Sequence, residues 1–207
     1  MPAFEPCPHC GASPRSALVC EACGELSAPP APPAPFAVFG LEPAWTLDLA
    51  ALSKRRLVLT RALHPDFHGT ADAETRRLAE DGTAALNQAY AILADDFRRA
   101  DWLVTALDGP RENEERGMPA AFLAEVLEWN ETIEAARQGG ERGTLAELER
   151  TLDAERERAR AALATQLTPL PARASEPLRR ARQILNSVRY LERALRELGE
   201  FALTKRS

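Results

Sequence analysis

Apolar residues recur at steps of three and four through most of the chain, and the stretches that keep this rhythm predict five long helices. The first opens after "WTLD", with Thr46 as its N-cap, and runs to about Leu63. Pro65 ends it, because its ring pushes residue 64 out of the helical region. The second runs from about Ala71 to Leu93, where Leu78, Ala85, Leu86, Ala89, Tyr90 and Leu93 share one face. A short loop joins the two, so they form an antiparallel helical hairpin. Three more helices are expected at roughly 119–137, 144–166 and 174–199, separated by "QGGERG" and "TPLPARASEP". Long helices with short connections make a bundle. Outside the first 26 residues no stretch alternates as a strand would, and no internal repeat is visible.

Two segments interrupt the helical rhythm. "SAPPAPPAP", residues 27–35, has prolines that fix φ and remove donors, so it reads as a semi-rigid spacer. "DGPRENEERG", residues 108–117, is a charged break and a second boundary. The fold class is therefore mainly α, in a fixed order. A four-cysteine module comes first at 1–26, then the linker at 27–35, the helical hairpin within 36–108, and the three-helix bundle at 109–207.

Composition narrows what such a chain does. Of its 207 residues 45% are hydrophobic, enough to bury a core. The net charge of −5 argues against a general nucleic-acid binder. No apolar run approaches the ~18 residues that span a bilayer. "MPAFEPCPHC" lacks the marks of a secretory or transit peptide. The expectation is a soluble, cytoplasmic protein without a membrane partner. In a reducing compartment, four grouped cysteines need an explanation other than disulfides.

Cys7, Cys10, Cys20 and Cys23 form two Cys-x-x-Cys pairs separated by nine residues. Each pair can place two thiolates on one side of a tight turn, and two such turns complete a tetrahedral site. Zinc suits four thiolates, and iron takes the same ligand set and stays open. A redox dithiol is the competing reading. Gly11 and Gly24 each follow a pair, where the turn calls for positive φ. Four protein ligands leave no open coordination position, so the site would be structural. A segment this short has no core of its own, so the metal would fold it. His9, inside the first turn, is a bystander to the four thiolates.

On a wheel of 100° per residue, Leu49, Leu52, Leu59 and Leu63 cluster on one face of the first helix, which is expected to be buried. Lys54 and Arg61 project nearly opposite that face. Arg55 lies between the two, and Arg56 falls within the apolar stripe. The helix leads into "RALHPDFHGT", residues 61–70, with His64, Pro65, Asp66 and His68. Read as chemistry, this cluster would be a metal or acid–base site. A rigid proline between His64 and Asp66 on an exposed turn works against that. The one other histidine, His9, is in the cysteine module, and no phosphate loop or nucleophile motif occurs. Recognition is the better account, and no enzyme activity is expected.

A basic helix, then His-Pro-Asp, then a long antiparallel helix resembles the J-domain of DnaJ-like co-chaperones. The likeness extends through "FAVFGLEPAWTLDLAALSKRRLVLTRALHPDFHG", "ALNQAYAILADDFRRADWLVTAL" and "AAFLAEVLEWNETIEAAR", which resemble the iron–sulfur cluster co-chaperone HscB family from about Phe36 to Phe201. The cysteine module resembles the N-terminal extension found in some members. The resemblance implies that 36–108 is a J-domain that stimulates ATP hydrolysis by a DnaK/HscA-type 70-kDa heat-shock chaperone. His64, Pro65 and Asp66 match its tripeptide, and Lys54, Arg55 and Arg61 match basic positions that meet an acidic surface. It further implies that Phe122, Leu123, Leu127, Glu128, Glu131 and Tyr190 grip an IscU-type iron–sulfur scaffold. Departures from the family pattern are Phe67 where Lys is common, Arg56 at an aromatic position, and Ala124 where a larger apolar residue can stand. From the residues alone, Phe122, Leu123, Val126, Trp129 and Ile133 make an apolar side of that helix and Glu125, Glu128, Glu131 and Glu134 an acidic one. A J-domain serving another client remains the main alternative. A zinc-ribbon nucleic-acid binder is disfavoured, since Arg15 is the one basic residue before Phe36. Homodimerisation is left open.

Overall fold

The computed structural model describes residues 4–64, 72–118, 120–137 and 142–204. Among the described residues seven helices follow in order: α1 Pro35–Phe39, α2 Leu49–Ala62, α3 Ala73–Leu93, α4 Asp96–Ala106, α5 Ala120–Arg137, α6 Arg142–Leu167 and α7 Glu176–Thr204. The extended pairing among the described residues is a single antiparallel bridge, Val19 to Leu26, in the cysteine module. The mainly helical class is as expected. The chain divides inside α4 into two compact units, Met1–Arg99 and Ala100–Ser207.

In the first unit, α2 is capped by Asp48 rather than Thr46: its carboxylate accepts the Ala51 N–H at 2.9 Å. Asp72 caps α3 in the same way, accepting from Thr75 N at 2.8 Å. Asp and Ser/Thr are both good N-caps, and the carboxylate also meets the positive end of the helix dipole. The hairpin closes over Leu52 and Leu59 from α2, Leu63 at its C-cap, and Ala79, Leu86, Ala89 and Leu93 from α3, all buried. Leu49 departs from the expected stripe and is exposed, because it sits in the first turn. Gly82 sets the spacing: a Cβ there would stand 2.9 Å from Leu63 Cδ2. Arg56, the misfit in the apolar stripe, lays its guanidinium 4.4 Å over the Tyr90 ring and donates to Asn87 Oδ1 at 3.0 Å.

Residues 27–35 do not hold the cysteine module apart from these helices. The prolines Pro29, Pro30, Pro33 and Pro35 line a crevice with Ala85, Gln88, Ala89 and Ile92 of α3. The chain then doubles back, and α1 meets the module. Ala17 N–H donates to Ala37 O at 3.1 Å and Ser16 Oγ to Val38 O at 2.7 Å. Gly40, at φ 70°, passes so close to the Arg15 carbonyl that no Cβ fits. Leu18 and Val19 are buried along with Phe36, Val38 and Phe39. The module's apolar Leu18 and Val19 are thus buried, and its backbone bonds to α1, which gives it support beyond its cysteines.

In the second unit, α5, α6 and α7 form the expected bundle. One end of its core is Phe122, Trp129, Ile133, Leu148, Leu152, Leu191, Ala194 and Leu198. The other end includes Leu163, Leu167, Leu178, Ala181 and Leu185. Arg182 is buried among them, donating to Pro110 O at 2.9 Å and pairing with Asp101. Asn186 Nδ2 donates to Glu115 O at 2.8 Å and Gly117 O at 3.2 Å, which ties the charged segment before α5 to α7.

Candidate functional site

Three groups of side chains carry chemistry, and the first is the four-cysteine centre. Its two turns repeat one another. Cys7 O accepts from Gly11 N and Cys20 O from Gly24 N, both at 2.8 Å, while Cys7 N and Cys20 N donate to Ala12 O and Glu25 O at 2.8 Å. Gly11 and Gly24 have φ of 72° and 80°, the left-handed conformation that the turn demands and that glycine takes without strain. The four sulfurs lie within 4.8 Å of one another, with Cys7 to Cys23 and Cys10 to Cys20 each at 3.7 Å. A tetrahedron of thiolates about 2.3 Å from an ion has edges of about 3.8 Å. The donor set therefore fits a metal ion, and no disulfide joins the four. His9 stands outside the cluster, its Nδ1 4.0 Å from Glu25.

Charge at this centre is uneven without a cation. The Ala22 backbone N–H is the main reason Cys20 is lowered to about 7. For Cys23 the Glu25 N–H favours the thiolate, but burial and the three neighbouring sulfurs override it and push the thiol up to about 12. Several thiolates cannot share so small a space until a positive ion joins them.

The second group is the outer face of α2. Lys54 and Arg61 are exposed, as their wheel positions require, and His64, just past the helix, is exposed as well. Arg55 is not free: 19% exposed, its guanidinium pairs with Glu21 and donates to the Arg15 carbonyl at 3.0 Å. Both partners belong to the cysteine module. Pro65 and Asp66, like His68, lie outside the described residues. Leu57 and Val58, which the sequence reading did not single out, are exposed large apolar residues flanking the Lys54–Arg61 ridge. Their signal in the sequence is their position, apolar side chains where a solvated face should be polar.

The third group is on the bundle. Leu123 is 50% and Leu127 64% exposed on α5, and Tyr190 on α7 is 42% exposed. Phe122 is buried beneath them and packs edge-on against both Tyr190, with ring centroids 6.2 Å apart, and Trp129, at 5.4 Å. Glu128 and Glu131 are exposed on the same helix. The structure brings Phe122 and Tyr190 together, while Leu123 leaves the apolar side expected of it. It sits 100° round the helix from Phe122, at the edge of the buried stripe. Among the described residues, the exposed large hydrophobic side chains are Leu49, Leu57 and Val58 on α2 and Leu123, Leu127 and Tyr190 here. No helix of the described residues is long and apolar enough to cross a membrane.

Residues 118–199 match the model of the HSCB C-terminal oligomerisation domain. A co-chaperone protein HscB homolog of Pasteurella multocida is 30% identical over 165 residues, which cover 79% of this chain and 92% of that one. The chain belongs to the HscB co-chaperone family. The Mannheimia succiniciproducens HscB homolog is 38% identical over 101 residues, 48% of this chain and 58% of that one, so the match spans less than two thirds of that relative. The fold agrees with the crystal structure of human co-chaperone protein HscB, at a TM-score of 0.77 and 20% identity over 96% of this chain and 98% of the human one.

Proposed function

We propose that this HscB-family chain is a co-chaperone of iron–sulfur cluster assembly. It binds an IscU-type scaffold protein through the bundle and stimulates ATP hydrolysis by a DnaK/HscA-type heat-shock chaperone through α2 and the His64-Pro65-Asp66 sequence that follows it. The chaperone-docking residues are Lys54, Arg55, Arg61, His64, Pro65 and Asp66, with Leu57 and Val58 as apolar contacts beside them. The scaffold-binding residues are Phe122, Leu123, Leu127, Glu128, Glu131 and Tyr190. The four cysteines hold zinc in a closed, structural site, and the chain contributes no catalytic residue of its own.

The observation that carries this reading is where the exposed apolar side chains fall. A soluble chain scatters such residues singly, and clusters of them mark surfaces that partners cover. Apart from Leu49 in the first turn of α2, they form two groups, Leu57 and Val58 beside basic residues on α2, and Leu123 and Leu127 on α5 with Tyr190 on α7, beside Glu128 and Glu131. Two faces of opposite charge fit two different partners. Joining both on one chain raises the effective concentration of scaffold at chaperone.

A scaffold-binding titration tests the bundle half. Replacing Leu127 by Asp is expected to weaken scaffold binding at least about tenfold, the size of losing a buried apolar contact, with unchanged helicity and melting. A Leu127→Asp variant that binds scaffold like the parent would remove α5 from the interface.

A further inference from the structure

The four-cysteine module reaches into the basic face of α2 at Arg55. Glu21, between Cys20 and Cys23, pairs with the Arg55 guanidinium, and the Arg15 carbonyl, between the two turns, accepts from its other arm at 3.0 Å. The contact is held from behind. Arg15 O abuts Gly40, Ser16 Oγ donates to Val38 O, and Ala17 N–H donates to Ala37 O. Glu21 itself follows Cys20, whose amide and carbonyl are both bonded within the metal-binding turn. The two cations of the neighbouring outer face, Lys54 and Arg61, are exposed. One of three basic residues is thus neutralised by the chain's own carboxylate.

From this geometry we infer that Arg55 is a carboxylate-exchange site, at which an acidic side chain of the partner docking on α2 displaces Glu21, and that the metal-binding turn sets how strongly Glu21 competes. The inference rests on the docking role proposed for α2. A guanidinium offers its N–H donors in a planar fork matched to a carboxylate, so a partner carboxylate can take the place Glu21 holds. The Glu21–Arg55 pair is mostly covered but still reached by solvent, its side chains 25% and 19% exposed, and solvent-accessible pairs of this kind are weak enough to exchange. While the pair is closed, the face presents one positive charge fewer to an acidic partner. Opening it adds that charge, so association becomes tighter at low salt and more sensitive to salt. The module is then a brake on docking rather than a remote appendage, and a module that loses its metal no longer aims Glu21 at Arg55.

The test uses the full chain and the purified DnaK-family chaperone of the same organism, with affinity measured across a salt series. Four proteins are compared: the parent, Glu21→Gln, Glu21→Gln with Arg55→Gln, and Lys54→Ala. Glu21→Gln keeps the shape of the side chain and removes its charge. It should tighten binding roughly two- to fivefold at low salt, and steepen the salt dependence, as expected for freeing one exposed charge. The gain should vanish in the double variant. Chelating the metal, with release followed by a colorimetric thiol-competing dye, should reproduce the gain in the parent and not in Glu21→Gln. If Lys54→Ala weakens binding while Glu21→Gln changes neither affinity nor salt slope, Arg55 is not an exchange site although α2 is the docking face. If Glu21→Gln tightens binding but metal removal does not, the link to the metal turn fails. If neither the parent nor any variant binds the chaperone, the docking role falls and the exchange site with it.

Discussion

Arg56 stands in the buried stripe of α2, where a wheel calls for an apolar residue, and the structure supplies the reason. Its stem follows the hairpin interface, and its head lies over the Tyr90 ring and bonds Asn87. Arg56→Ala should therefore destabilise the first unit by about 1 kcal/mol, measured by denaturant unfolding, whereas Lys54→Ala on the exposed face should leave stability unchanged. Equal stability of the two variants would mean that the Tyr90 contact contributes nothing. The neighbouring Arg55 resolves differently. It lies between the two faces on the wheel, and the groups that engage it, Glu21 and Arg15, are 34 and 40 residues away in sequence. Helical periodicity reports which side of a helix a residue occupies. It is silent about which distant carboxylate comes to meet it.

Helices carry the next level of prediction. Asp72 caps α3 as a carboxylate, and its pKa is lowered, chiefly because the Thr75 backbone N–H bonds the charged form. A carboxyl whose folded pKa is depressed adds stability above its unfolded pKa of about 3.9, and loses it as pH falls through the folded value. Amide exchange at Thr75 should therefore accelerate relative to the middle of α3 as pH drops below about 4, after correction for intrinsic exchange rates. An Asp72→Asn variant, which keeps a cap acceptor without the charge, should lose that pH dependence. A Thr75 amide that ignores pH in both proteins would rule the cap out. Metal removal acts on a larger element. Because Leu18 and Val19 are buried with the apolar residues of α1, Ser16 and Ala17 bond to Val38 and Ala37, and Arg15 O packs against Gly40, stripping the metal should lower the melting temperature of the α1–α3 unit by several degrees. An unchanged helical transition after complete metal release would show the module to be an independent knuckle.

Much of this element map was legible in apolar spacing. The helices at 73–93, 120–137 and 142–167 lie within two residues of the spans read from the pattern, since each keeps its buried positions three and four apart over several turns. The five-residue α1 is too short to show a period, and its place depends on contact with the module. Helix α4 follows α3 after a break of two residues, where Asp95 caps it by accepting from Phe97 N and Arg98 N. A charged run around that cap conceals the new start. The cysteine cluster was legible because metal-ligand spacing is local. The exposed patch at Leu123 was not, because an apolar residue at the edge of a stripe looks like core until the neighbouring helix is seen to miss it.

At the scale of the whole molecule, the chain belongs to the HscB co-chaperone family and carries two apolar, oppositely charged surfaces and a four-cysteine centre that fits a metal ion. The central claim is that these surfaces act together, one on a chaperone ATPase and one on a cluster scaffold. Coupling of this kind predicts more than two separate affinities: scaffold and co-chaperone should stimulate hydrolysis together beyond the sum of their separate effects. The most direct measurement is steady-state ATP hydrolysis by the organism's DnaK-family chaperones, with this protein, with scaffold, with both, and with Asp66→Asn replacing the parent. The account predicts synergy from the pair and its loss in Asp66→Asn, with that variant's helicity intact. Stimulation that ignores scaffold would contradict the iron–sulfur role, and no stimulation of any chaperone would contradict the co-chaperone mechanism itself.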